Sequence, residues 1–366
     1  MKASRKQYLK YLNPLQLIQT KKVLKNNPTV PLAHDTGMES ILSLFKYNQK
    51  ECLIAKNIDA ELVNEQLFES GYCFWLNSDI INKSTVEQIG KNLNLHYLIV
   101  EDILGENERP KLDEIDEFVT VVMQMLYYKE DNTTIENEQV SFVLSKNFVV
   151  SFQDDSLRDS FDAVREKLNI QGNKLRSGGP DYLLYALIDS IVDQYFVVLE
   201  KLGDQVEKLE EEITNTKVDQ FTMNQINYLR KELIFFKRNA APVKDLLSSI
   251  IKSENTLIKE NTIRYFKDVY DHIVQINDLT ENYRDVITNI RDLYLSQMNM
   301  KMNEVMKFLA IVTSLLAPAT VIGGIFGMNF DRIPYLHDQN GFWIATGIML
   351  IIPILMMVYF KRKGWY

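Results

Sequence analysis

The chain has 366 residues, which is enough for two or three structural units. Its formal net charge of −8 argues against nucleic acid as a partner, because a surface that binds phosphate backbones is basic. The two cysteines, Cys52 and Cys73, match no zinc-ligand spacing and predict reduced thiols in a protein core. The basic N-terminus lacks the apolar run of a cleavable signal peptide.

The N-terminal 175 residues predict a mixed α/β domain. Residues 117–128 and 140–152 are rich in β-branched and aromatic side chains, which favours strands, and the second segment is typical of a hairpin. A break follows at residues 176–182, where Pro180 suits the first turn of a helix. The strand-rich part of the chain therefore ends near residue 175.

Helical patterns fill most of the rest of the chain. Residues 181–253 predict a helical hairpin whose acidic stretch, 202–215, is either a solvated face or a weak attractor of cations near a membrane. The run from about 262 to 327 has no glycine before Gly323. At 1.5 Å per residue this run predicts a single helix about 100 Å long.

Two stretches near the C-terminus carry no charge, residues 308–330 and residues 339–360. About 20 apolar residues cross the hydrocarbon core of a bilayer, so both stretches predict transmembrane helices rather than a buried hairpin. Two lysines, Lys301 and Lys307, precede the first span, and the basic run 361–363 follows the second. The loop between the spans carries only one basic residue, Arg332. This asymmetry predicts a protein of the cell membrane with both termini in the cytoplasm.

A stripe of polar and small residues follows the long helix in steps of three and four. Its members are Asp278, Asn282, Asp285, Asn289, Asp292, Ser296, Asn299, Asn303, Met306, Ala310, Thr313, Ala317, Thr320, Gly324 and Gly327. Small residues also serve close helix packing, and the series Ala319, Gly323 and Gly327 fits that alternative. Packing does not explain why the polar stripe continues beyond the span. Several copies of the helix around an axis would enclose a pore lined by this stripe.

The stripe ends at the triplet Gly327, Met328 and Asn329. The Asn amide is neutral, and a ring of its carbonyls would accept hydrogen bonds from the water shell of a cation. Mg²⁺ gives up its waters reluctantly, so such a ring suits it.

These residues resemble the CorA family of magnesium transporters. The Gly-Met-Asn triplet between two C-terminal spans is the signature of that family, and the segment 96–116, "HYLIVEDILGENERPKLDEID", is similar to its cytoplasmic part. The resemblance extends from about residue 67 to the basic C-terminal end. It implies a Mg²⁺ channel, not an enzyme, with Co²⁺ and Ni²⁺ as further cations. It also implies a homopentamer in the lipid bilayer with a funnel-shaped cytoplasmic part.

The resemblance also implies the residues of a regulatory metal site. Asp102 and Asp268 would form the main Mg²⁺-sensing site across neighbouring subunits, with Glu101, Asp189 and His272 nearby. Opposed carboxylates repel each other, and a bound divalent cation removes that repulsion. High internal Mg²⁺ would thus hold the ring closed, and its loss would open the pore.

The pore residues follow from the same resemblance. Gly327, Met328 and Asn329 would form the selectivity filter. Thr320, Ala317 and Thr313 would line the middle of the pore, Met306 and Leu309 would form a hydrophobic gate, and Asn303 and Asp292 would form inner polar rings.

The predicted fold class is α+β, a mixed α/β domain with a long stalk helix that continues into the first of two spans. The predicted boundaries are 1–175 for the cytoplasmic α/β domain, 176–260 for a helical hairpin, 261–307 for the stalk, 308–327 for the first span, 328–340 for the external loop, 341–360 for the second span and 361–366 for a basic tail.

The sequence departs from the family pattern at two positions, and three alternative functions stay open. Tyr335 stands where the family often has an acid, and Ala317 stands where some members have Met.

A zinc-transporting branch shares the topology, although no His/Cys cluster lines the stripe. A membrane Mg²⁺ sensor without transport would carry the same acids. The Asp-Thr-Gly triplet at 35–37 is that of aspartic proteases, but their chemistry needs a second copy, which the sequence lacks.

Overall fold

The computed structural model describes residues 40–68, 70–129, 134–154, 160–215, 220–329, 333–334 and 338–365. It divides into two compact units, one formed by residues 1–202 with 232–281 and the other by 203–231 with 282–366. The Asp-Thr-Gly triplet at 35–37 and Tyr335 lie outside the described residues.

A mixed sheet lies at the centre of the first unit. Within the described ranges it has seven strands in the order β2-β1-β3-β7-β6-β5-β4. The strands are β1 (Ile41–Tyr47), β2 (Cys52–Lys56), β3 (Cys73–Asp79), β4 (Lys111–Ile115), β5 (Phe118–Tyr128), β6 (Ile135–Leu144) and β7 (Phe148–Gln153). Neighbouring strands are antiparallel, except that β3 and β7 run parallel with Trp75 opposite Val149. With the long helices described below, this sheet confirms the predicted α+β class.

Trp75 organises the packing on one face of this sheet. Its side chain is fully buried, its ring stacks on Phe45 with 4.7 Å between centroids, and its Nε1 donates to Ser151 Oγ at 2.8 Å. Ser151 Oγ in turn donates to Asn77 Oδ1 at 2.6 Å. The buried polar atoms of Trp75, Ser151 and Asn77 are thus joined in one hydrogen-bonded chain across β3 and β7.

Short helices accompany the sheet: α1 (Lys83–Asn92), α2 (Tyr97–Leu104), α3 (Asp162–Asn169) and α4 (Lys174–Ser177). Asn82 caps α1 and His96 caps α2, each accepting a backbone N–H at the helix start. The two helices approach closely at Gly90, where an added Cβ would lie 2.7 Å from Val100 Cγ2. Glycine at this position therefore sets the distance between α1 and α2.

Four longer helices follow: α5 (Pro180–Asn215), α6 (Gln220–Lys252), α7 (Glu260–Phe326) and α8 (Gly341–Arg362). By length and composition, three helices of the described chain are apolar enough to cross a membrane, namely α5, α7 and α8. Half of the most apolar stretch of α5 is buried inside the protein. Leu187 and Ile191 are fully buried there, and the Tyr195 hydroxyl donates to the backbone carbonyl of Gln124 in β5. The part of α5 up to Leu202 therefore lies in the core of the first unit, and α7 and α8 contain the two stretches predicted to span the membrane.

Apolar residues spaced three and four apart form a seam along α7, and this seam is buried along most of its length. Its buried members are Phe266, Val269, Ile273, Ile276 and Thr280 in the first unit, and Ile287, Ile290 and Tyr294 in the second. In the second unit Gln297 Nε2 also donates to the carbonyl of Ile213 at 2.9 Å. α7 thus packs through one face and leaves its other faces exposed.

Both ends of α8 carry a tryptophan. At its start the Trp343 ring meets Phe342 edge to face. At its end Gly364 has a φ of +71°, and the chain turns so that Trp365 N–H donates to the Phe360 carbonyl at 3.1 Å and the two rings stack. This left-handed turn is a standard glycine helix terminus. Lys307 Nζ from α7 donates to the Gly364 carbonyl at 3.1 Å, which joins the two apolar helices.

Candidate ion pathway and metal site

The stripe on α7 is exposed in the single chain. Every predicted pore residue is exposed: Asp292, Asn303, Met306, Leu309, Thr313, Ala317 and Thr320. Met306 and Leu309 are each 63% exposed, which is unusual for large apolar side chains outside a membrane or an interface.

The opposite face of α7 is partly shielded. The shielded residues are Ile311, Ser314, Leu315, Pro318, Ala319, Ile322 and Phe326. An added Cβ on Gly323 would lie 3.9 Å from Met349 Cε of α8, so α8 packs beside α7 at this level. At 100° per residue, the shielded residues and the stripe lie on opposite faces of the helix. Within one chain α8 therefore covers the side of α7 that the stripe does not use.

The Gly-Met-Asn triplet directly follows the last residue of α7. Gly327 N–H donates to the Gly323 carbonyl at 2.9 Å, and Met328 N–H donates to the Ile325 carbonyl at 3.3 Å. A Cβ on Gly327 would lie 3.0 Å from the Gly323 carbonyl oxygen, which is tighter than side chains ordinarily tolerate. Glycine thus lets the chain turn at the end of the stripe, and Asn329 is exposed immediately beyond it.

A separate group of metal-ligand atoms lies in the first unit. Asp189 and Asp193 on α5 and His272 on α7 each place one ligand atom within 4.8 Å of the other two. Among the described residues, no other group of three or more His, Cys, Asp or Glu side chains meets that distance. The donor set of two carboxylates and one imidazole fits a divalent cation, and the imidazole nitrogen favours a transition metal.

The surroundings of Asp189 disfavour its charge. Burial raises the pKa of its carboxyl group, and the negative charge of Asp193 adds to that effect. The Tyr185 hydroxyl donates to Asp189 Oδ2 at 3.3 Å and, with the nearby His272, acts in the opposite direction. The pKa of Tyr185 is raised by burial and then by Asp189, so the hydroxyl keeps its proton and remains a donor. Asp268 is exposed on α7, and its charge also acts on Tyr185.

His272 is partly buried and lies close to both carboxylates. Its Nδ1 is shielded from solvent and has no hydrogen-bond partner among the described residues, and the ring meets Phe196 edge to face at 5.9 Å between centroids. A shielded nitrogen that makes no hydrogen bond is available to a metal ion.

Asp102 lies apart from that group, at the C-terminal end of α2. Its Oδ1 accepts from Lys111 Nζ at 2.7 Å. Lys111 Nζ also lies 3.2 Å from Asp113 Oδ2. Glu101, the preceding residue, is partly buried.

A family model described as a CorA-like Mg²⁺ transporter protein matches residues 70–362. The chain belongs to the CorA family. The cobalt/magnesium transport protein CorA of Thermotoga maritima is 37% identical over 325 residues, which cover 88% of this chain and 92% of that protein. The complete CorA magnesium transporter structure from Methanocaldococcus jannaschii has a TM-score of 0.74 at 25% identity and covers 88% of this chain and 98% of that one. The cytoplasmic domain of ZntB from Vibrio parahaemolyticus has a TM-score of 0.56 at 13% identity over 71% of this chain and 99% of that one, and so shares the fold alone.

Within this CorA chain, the structure brings together two of the five predicted regulatory residues, Asp189 and His272. Glu101, Asp102 and Asp268 lie outside that group, and a meeting of Asp102 with Asp268 across subunits stays a prediction.

The sequence analysis missed Asp193. The signal was present, because residues four apart on a helix share a face, which places Asp193 beside Asp189.

Proposed function

We propose that this chain is a Mg²⁺ channel of the cell membrane that passes hydrated divalent cations through the central pore of a homopentamer. The observation that carries the proposal is the exposed stripe on α7, which runs through an apolar helix and ends at Gly327-Met328-Asn329. A single chain with two apolar helices encloses no pore. In this proposal the stripes of several copies of the chain face one another around a central axis. The membrane potential then drives divalent cations inward.

The pore residues have distinct roles in this proposal. The Asn329 carbonyls and Gly327 form the outer ring, which binds the water shell of the cation rather than the bare ion. Met306 and Leu309 close the pore by excluding water when their side chains approach the axis. Asn303 and Asp292 provide polar rings further along.

The cargo is Mg²⁺ and, in addition, Co²⁺ and Ni²⁺. Two related proteins, from Thermotoga maritima and Methanocaldococcus jannaschii, carry both cobalt and magnesium in their names, which supports the first two ions. The oxygen-rich stripe supports a hard cation that stays hydrated, rather than one bound by sulfur or nitrogen.

Internal Mg²⁺ regulates the channel in this proposal. Asp102 and Asp268 bind a cation between neighbouring subunits, Glu101 lies beside them, and the group of Asp189, Asp193 and His272 forms a second site. Both sites gather carboxylates whose mutual repulsion a divalent cation removes. Bound Mg²⁺ therefore favours the closed ring.

We expect the Asn329→Ala channel to lose Mg²⁺ influx or its selectivity while the oligomer stays assembled. The flux falls by roughly tenfold or more, which corresponds to about 1.4 kcal/mol in the barrier, because the ring no longer accepts hydrogen bonds from hydrated Mg²⁺. The measurement is Mg²⁺ influx into proteoliposomes that contain a Mg²⁺-sensitive dye, with internal Mg²⁺ kept low.

Asn340→Ala is the matched control, because Asn340 follows the same external segment and its side chain makes no capping hydrogen bond to α8. Unchanged flux and selectivity in Asn329→Ala would contradict the filter assignment. Absent flux from the assembled native chain would favour a sensor without transport, and Zn²⁺ flux in place of Mg²⁺ flux would favour the zinc branch.

A further inference from the structure

Lys111 lies between two carboxylates at the start of β4. Its ammonium is 2.7 Å from Asp102 Oδ1 and 3.2 Å from Asp113 Oδ2. The side chains of Lys111 and Asp102 are 34% and 19% exposed, so the pair is neither fully solvated nor buried. Lys111 is a cation at neutral pH, as lysine side chains ordinarily are.

The fold, rather than the reach of a flexible side chain, brings this pair together. Buried Gln139 in β6 donates through Nε2 to the Asp102 backbone carbonyl at 2.9 Å. Through Oε1 it accepts the Glu108 N–H at 2.8 Å. One amide thus holds both the end of α2 and the loop that leads into β4. With both backbones fixed, the Lys111 ammonium is positioned against the Asp102 carboxylate.

The geometry points to Lys111 as a tethered competitor for the divalent cation at Asp102, which sets the Mg²⁺ concentration at which that site fills. This inference rests on the proposed regulatory role of Asp102. The ammonium occupies Asp102 Oδ1, and its positive charge opposes a divalent cation at the same carboxylate, so the ion binds more readily once Lys111 moves away. Asp113 offers Lys111 a second carboxylate, so the displaced ammonium keeps a partner and the exchange stays reversible.

The inference predicts the direction of a charge-removal experiment. In Lys111→Gln and Lys111→Met, Asp102 loses the ammonium group that pairs with it, and the electrostatic potential at Asp102 becomes more negative. We expect the Mg²⁺ concentration that half-protects the cytoplasmic part from protease to fall by about three- to tenfold, the range expected for removing one partly exposed competing charge. Lys111→Arg keeps the positive charge and should leave this midpoint near the native value.

The experiment uses the full chain in proteoliposomes, with limited proteolysis followed across a Mg²⁺ titration. Lys129→Gln is the matched control, because Lys129 also forms an ion pair on this sheet, 3.2 Å from Glu136, but lies next to no proposed ligand. A midpoint that stays unchanged or rises in both Lys111→Gln and Lys111→Met would overturn the inference, since a purely structural lysine would weaken the site when removed.

Asp102→Asn separates the inference from the function on which it rests. If Asp102→Asn raises the midpoint but neither Lys111 variant lowers it, the regulatory site stands and the competitor role fails. If Asp102→Asn leaves the protection curve unchanged, both ideas fail. If the inference is right, adding Lys111→Gln to Asp102→Asn leaves the midpoint of Asp102→Asn unchanged, because the carboxylate for which the two cations compete is gone.

Discussion

Asp189 lies partly buried on α5, with Asp193 one turn further along the same face. Its raised pKa means that the folded chain binds a proton more readily than the unfolded chain does. The stability that Asp189 contributes to the metal-free fold is therefore greatest in acid and is lost as the pH rises through the raised pKa. Above that raised pKa the ionised group opposes folding until a cation binds.

We therefore expect Asp189→Asn to raise the thermal midpoint of the metal-free chain in EDTA by about 1–3 °C. The neutral amide avoids the cost of a buried charge beside Asp193, and its oxygen still accepts from Tyr185. The same variant should lose most of the midpoint increase that Co²⁺ gives to the native chain. The measurement is thermal unfolding of the detergent-solubilised chain with and without Co²⁺.

Asp271→Asn is the control, because Asp271 is exposed next to His272 but lies outside the metal-ligand group. If Asp189→Asn gains as much stability from Co²⁺ as the native chain does, Asp189 is not a ligand.

At the scale of elements, the contact between α1 and α2 decides where Glu101 and Asp102 lie, because α2 carries both. Gly90 permits that contact, since a Cβ there would meet Val100 Cγ2 at 2.7 Å. Gly90→Ala should gain about 1 kcal/mol in helix propensity but lose about 1–3 kcal/mol to overpacking, so we expect a net loss of stability.

The double variant Gly90→Ala/Val100→Ala tests this cause. It removes the methyl group that the new Cβ would meet and should recover most of the loss, with a coupling of about 0.5 kcal/mol or more. Thermal unfolding of the four variants in the cycle measures this coupling. Additive effects of the two substitutions would show that the contact does not limit the approach of α1 and α2.

The sequence predicted β5, the hairpin of β6 and β7 and the long helices, but it singled out none of the strands β1 to β4. The parallel pairing of β3 with β7 was not readable, because their residues are more than 70 positions apart and no local pattern joins them. The ion pair between Lys111 and Asp102 was not predicted for a similar reason, since it depends on how Gln139 holds two distant segments together.

For the whole molecule, the proposed pore needs further copies of the chain to face the exposed stripe on α7. We expect the detergent-solubilised chain to have a mass of five subunits of 42.7 kDa each, as the family resemblance implies. The physical reason is that polar side chains on an apolar helix cost free energy when they face lipid, so the stripe is more stable when it faces protein or water. Light scattering corrected for detergent measures this mass. A monomer or dimer that still conducts Mg²⁺ would contradict the shared central pore.

The positions of the three tryptophans have a practical consequence. Trp75 is fully buried in the sheet, whereas Trp343 and Trp365 are 71% and 41% exposed at opposite ends of α8. Intrinsic fluorescence therefore has one reporter in the sheet unit and one at each end of a membrane helix. Single-tryptophan versions, with quenchers added to one face of the vesicle at a time, would report motion at each membrane surface without any attached dye.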